Sequence, residues 1–180
     1  MKRMCRLAPL FMLIVSTAAL QAQTTVSLPD TSQTTTLTAA VSEQARVTVP
    51  AGISFNVSDV TASTAAGAAS VTVSNIVLAT DTKQLKISIE AGAGSFTPPV
   101  VGATTWSAGD VTWNAATWTS ATGASGTLSN SSFNEVATCD ADVASCSTSG
   151  LVFTLGAKGT VKRAGNHTLT VTWKFESIGT

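Results

Sequence analysis

The sequence predicts an all-β protein, an immunoglobulin-like antiparallel β-sandwich of Greek-key type, and three observations predict it. Apolar residues recur at every second position in one segment after another, and no mature segment repeats them at helical spacing. Thr, Ser and Val fill those segments, while Gly, Pro, Asn or Asp punctuates them. Seven or more short strands in one chain need a second layer to cover their apolar faces, which favours two packed sheets. A jelly roll or a small barrel has the same pattern, because periodicity fixes neither strand order nor closure.

The chain opens on Lys2, Arg3 and Arg6, then the apolar run LAPLFMLIVSTAAL and small residues ending at Ala22. That order is a secretory signal peptide, so residues 1–22 are expected to be removed, leaving about 158 of the 180 residues. The apolar run is shorter than the roughly 20 residues of a spanning helix, and no later segment approaches that length. No transmembrane segment is therefore expected in the mature chain, and its place is the periplasm, the cell surface or the extracellular medium. Residues 23–36 form a polar leader in which Val26 and Leu28 alternate before Pro29 and Asp30 interrupt. They read either as a frayed lead-in or as a short donor strand.

Residues 37–180 read as a single β-sandwich domain, long enough for a real core. Its strands are expected around Leu37, Ala39 and Val41, then Val47 and Val49, then Ile53, Phe55 and Val57. Val71, Val73 and the run NIVL supply the next, followed by Leu85, Ile87 and Ile89. The stretch from Gly92 to Asn134 is the least regular and predicts a long excursion or a hairpin that extends beyond the core. GLVFTLG, from Gly150 to Gly156, is apolar on both faces and suits a central strand. The clearest strand closes the chain: in HTLTVTWKFES, Leu169, Val171, Trp173 and Phe175 face one way and Thr168, Thr170, Thr172 and Lys174 the other.

Charge and cysteine content narrow the partners. The chain carries ten basic and ten acidic residues, of which Lys2, Arg3 and Arg6 leave with the signal. A mildly acidic mature chain whose nearest basic patch is Lys158, Lys162 and Arg163 argues against nucleic acid as a partner. Two cysteines remain, Cys139 and Cys146 in ATCDADVASCSTSG, and in an oxidising compartment they are expected to form a disulfide that staples one loop. A metal site would draw on Asp140, Asp142 and His167, but the spacing fits no common zinc pattern, and no metal or cofactor is expected.

Catalytic signatures are lacking. His167 is the sole histidine, no serine stands in a G-x-S-x-G elbow, and the carboxylates lie scattered in polar turns. The sequence therefore reads as non-enzymatic. Its sharpest functional hint is TTWSAGDVTWNAATWTS, which holds Trp106, Trp113 and Trp118. Such indoles either fill the core or stack on sugar rings as a carbohydrate-binding module does. On one uninterrupted strand Trp113 and Trp118 would face opposite ways, so a shared platform needs a turn, which NAAT can supply.

Two parts of the chain, LTAAVSEQARVTVPAGISFNVSDV near the start and KRAGNHTLTVTWKFES at the end, resemble the opening and closing strands of secreted bacterial β-sandwich subunits of the spore coat protein U and archaic pilin type. The ending is also similar to the closing strand of WxL surface proteins, with Trp173 followed two residues later by Phe175. Where the first type carries a cysteine near its opening strand this chain has SEQARV, and where it carries a tyrosine in the closing turn this chain has His167. The resemblance implies a cell-surface structural or adhesive protein, either self-assembling or bound to other surface proteins. In that case Val26 and Leu28 would belong to a donor strand. The alternative is polysaccharide binding through Trp106, Trp113 and Trp118.

Overall fold

The computed structural model describes residues 24–179; the expected signal, residues 1–22, lies outside them. Residues 24–39 form one unit and residues from Ala40 onward another, and each is described by itself. In the first, Val26 and Leu28 are exposed and belong to no strand. The Asp30 carboxylate accepts hydrogen bonds from Ser32 N, Ser32 Oγ and Gln33 Nε2, which closes a turn just after Pro29.

The second unit is all-β, as the periodicity predicts. Its strands are β1 (Gln44–Thr48), β2 (Thr64–Ala65), β3 (Ala69–Val77), β4 (Gln84–Ala91), β5 (Val111–Trp113), β6 (Ala121–Gly123), β7 (Gly126–Thr127), β8 (Asn134–Cys139), β9 (Ser145–Leu151), β10 (Phe153–Leu155) and β11 (Val171–Ile178). They pair antiparallel in three sheets, β1-β3-β9, β2-β10-β5-β7 and β11-β4-β8-β6. The first two run on from each other. Only Val152 separates β9 from β10, and Ala66 N donates to Phe153 O across the join. The break at Val152 has a local cause, since Asn114 takes the Val152 N–H on its side-chain oxygen and donates to Gly150 O.

This gives two layers. One has the order β1-β3-β9/β10-β5 and the other β11-β4-β8-β6, with the chain changing layer after every strand from β3 to β8 and again after β10. An immunoglobulin sandwich orders its strands A-B-E-D over C-F-G. Here β1, β3, β9/β10 and β5 fall in the A, B, E and D places, and β4 and β11 in the C and F places. Alternate residues from both layers meet in the core, where Val71, Val73, Ile87, Ile89, Val136 and Leu151 are wholly buried. A bulge in the β4–β8 pairing between Ile87 and Ser88 turns both Val136 and Ala137 inward.

Several expectations need correction. Leu37, Ala39 and Val41 form no strand and are exposed, so the sheet begins at Gln44. Ile53, Phe55 and Val57 are half-buried against the core, as their alternation implies, yet they too pair with no strand. The stretch from Gly92 to Asn134 does not leave the core; it supplies β5, β6 and β7 and buries three indoles. The disulfide Cys139–Cys146 forms, but it joins β8 in one layer to β9 in the other. It therefore clamps the two sheets at a corner, which is more than closing a loop.

Candidate functional site

The three candidate indoles are buried, with Trp106 4%, Trp113 2% and Trp118 8% exposed. Trp113 ends β5, and the chain turns at Asn114–Ala116 as NAAT suggests, but the turn carries Trp118 inward. Trp113 Nε1 donates to Ala124 O at 2.9 Å and its ring meets Phe153. Trp118 lies against Gly123, where an added Cβ would stand 2.3 Å from Ala116 O, so only glycine fits; its Nε1–H has no partner among the described residues. None of the three rings offers a face to a sugar, because rings of this size gain more by filling the gap between sheets. Core packing, the other reading of these residues, is what the fold realises.

A wide concavity lies elsewhere. A groove of about 1000 Å³ runs between the first half of β11 and the extended segment 50–57, with Phe96, Trp106, Val111, Leu128, Phe153 and Leu155 among the core side chains lining it. Ile53, Phe55 and Val57 line one wall and Leu169, Val171 and Trp173 the other; all six are only half-buried, although alternation points them at the core. What sets this groove apart is its backbone. Strand β11 pairs with β4 on one side only, because it is the outermost strand of its sheet. Among the described residues no backbone hydrogen bond involves residues 50–57. Both walls thus present unused N–H and C=O groups, and the place next to β11, where an immunoglobulin sandwich sets strand G beside F, holds no strand among the described residues.

A polar cluster braces one end of the groove. Trp106 Nε1 donates to Gly156 O at 2.9 Å, and its ring stands edge-on to His167 with centroids 5.2 Å apart. His167 Nε2 lies 3.1 Å from Arg163 O. A carbonyl only accepts, so Nε2 carries a proton there, and Nδ1 shares a hydrogen bond with Thr105 Oγ1 at 2.7 Å. Asp110 accepts from Ser107 N and from Lys158 Nζ, both at 2.7 Å. Burial pushes the Asp110 carboxyl up, but these bonds outweigh it and hold the group below the usual 3.8. The loop between β10 and β11 is pinned by these contacts. His167, the lone histidine, serves there as a brace between Thr105 and Arg163.

The sequence had marked Ile53, Phe55, Val57, Val171 and Trp173 as strand residues, and nothing in their spacing said that they would face each other across a gap. Phe96 and Val161 carried no signal at all. Cys139 and Cys146 lie on the β8–β9 corner, and Val26 and Leu28 belong to the other unit. Among the described residues no helix is long and apolar enough to cross a membrane, and no cluster of three or more His, Cys, Asp or Glu side chains could hold a metal ion. Comparison of the chain with protein-family models, with curated proteins and with solved structures returns no match in any of the three.

Proposed function

We propose that this chain is an exported, non-enzymatic structural or adhesive subunit of the bacterial cell surface that works by taking up a β-strand from another chain. The observation that carries the reading is the apolar groove flanked on both sides by unpaired backbone. A small apolar ligand would cover the side chains and leave both rows of backbone groups unused. An extended peptide covers the side chains with alternate residues and adds a ladder of hydrogen bonds. An uncovered strand edge beside apolar surface also invites unspecific association, which natural sandwiches avoid by covering such edges. The inter-sheet disulfide supports export, since such bonds persist in oxidising compartments.

The test is assembly. The chain from Gln23 onward is measured for mass across concentration, together with amide hydrogen exchange. Mass that grows with concentration, accompanied by slowed exchange in β11 and in residues 50–57, is the expected result. A monomer at every concentration in which the β11 amides that point away from β4 exchange as fast as exposed backbone sinks the proposal.

A further inference from the structure

We infer that the bend at residues 98–102 and the neighbouring cations Lys162 and Arg163 form a docking tip for an anionic lipid surface. The apolar part comes from the chain between Phe96 and Trp106. Phe96 N donates to Trp106 O at 2.9 Å and Ala103 N to Val100 O at 3.1 Å, so the segment doubles back, and its bend reads Pro98, Pro99, Val100, Val101, Gly102. There Val100 is 54% and Val101 100% exposed. Four apolar residues in a row on a bend that faces water are not the singly scattered apolar side chains of an ordinary surface.

The charged part belongs to the loop between β10 and β11, which is clamped to this bend. Thr97 and Thr168 exchange backbone hydrogen bonds at 2.7 and 3.0 Å, and Thr105 Oγ1 lies 2.7 Å from His167 Nδ1. A Cβ at Gly165 would stand 2.8 Å from Pro99 Cβ, so the two loops touch there, and Arg163 and Lys162 come two and three residues before that contact. Both cations are exposed. Lys162 Nζ donates to Gly159 O, and neither side chain forms a salt bridge among the described residues, whereas Lys158 of the same loop is paired with Asp110. The mildly acidic balance of the mature chain thus conceals a local positive excess beside an apolar tip.

Apolar groups flanked by unpaired cations complement a surface with phosphates outside and acyl chains beneath. A protein partner fits less well, because one bend of five residues covers far less than the roughly 800 Å² per partner of a stable protein interface. A lipid surface sets no such demand, since shallow apolar insertion and attraction to anionic headgroups act together. Residues 98–102 do not line the groove beside β11, so the tip stands independently of the strand-acceptor reading.

Co-sedimentation with vesicles tests this, using phosphatidylcholine alone and phosphatidylcholine with phosphatidylglycerol in equal parts. The chain from Gln23 is compared with Val100→Asp/Val101→Asp, Lys162→Ala/Arg163→Ala and Leu37→Asp, the last removing an equally exposed apolar side chain of the leader; circular dichroism shows that each folds. The parent should bind the mixed vesicles, less tightly as salt is raised. Affinity should fall at least about tenfold in the valine variant and about fivefold per cation in the Lys162/Arg163 variant, while Leu37→Asp binds as the parent does. A parent that stays in the supernatant with the mixed vesicles overturns the inference. So does equal binding to both vesicle types, and so does a valine or cation variant that binds as tightly as the parent. Loss of binding in Leu37→Asp alone moves the lipid contact to the leader and overturns the tip as well. None of these outcomes bears on the strand-acceptor reading, which is tested by mass and exchange without lipid.

Discussion

The β8–β9 corner and the β11 groove are built from the same residue types and differ in completeness. At the corner, β8 and β9 each have a partner strand, Cys139 and Cys146 link the layers, and Val73, Val136 and both sulfurs are essentially sealed from water. Along the groove, equally apolar side chains such as Phe55, Val171 and Trp173 stop at half-burial, because no strand lies over them. Alternation decides which side of a strand is apolar. Whether that side ends up dry depends on the neighbours, and at the groove one neighbour is absent.

Several experiments sharpen or break this contrast. The largest expected effect lies in the sealed region: Leu151→Ala should lose about 3 kcal/mol by denaturant unfolding, through lost burial and the cavity left behind. Phe55→Ala in the groove should lose much less in the monomer and show its main effect on assembly; equal losses at both sites would mean that the groove is as tightly packed as the core. Cys139→Ser/Cys146→Ser should lower stability by roughly 2–3 kcal/mol, read against the parent with and without reductant.

Two glycines give a finer comparison. A Cβ at Gly126 would stand 2.3 Å from Cζ2 of the buried Trp113 ring, so Gly126→Ala should destabilise by about 1–3 kcal/mol. A Cβ at Gly52, on the groove wall, meets nothing within 4 Å, and Gly52→Ala should be near neutral in the monomer. The smallest effect concerns acid. Asp110 has its folded-state pKa depressed, so its stabilising contribution is present above the ordinary value near 3.8 and is lost as pH falls through the lower folded value. Unfolding midpoints of the parent should fall over that acid range more than those of Asp110→Asn, and the gap between the two should narrow as pH drops.

The strands with strict alternation and a paired fate, β3, β4 and β11, were legible from the residues alone. Of GLVFTLG, the part in β10, Phe153–Leu155, does lie between two strands, whereas Leu151 ends β9 at the edge of its sheet and burial along the run alternates instead of covering both faces. The disulfide was legible too, because two cysteines seven residues apart in a polar turn leave little choice of partner. The Gly92–Asn134 stretch was not. Its strands span two or three residues, too short for a period to show, and what holds them is Trp113 against Ala124 and Phe153, and Trp118 against Gly123.

By itself the sequence determined that this chain is all-β, which side of each long strand is apolar, and where the chain turns. Those properties are local: they follow from side-chain alternation along a few residues and from the backbone freedom of Gly, Pro, Asn and Asp. Only the tertiary structure decided that Leu37–Val41 stays outside the sheet, that residues 50–57 and β11 face each other with no strand between them, and that the disulfide spans two layers. Each of these depends on which strand lies beside which, and hydrogen-bond partners far apart in sequence leave no mark on the period of either strand.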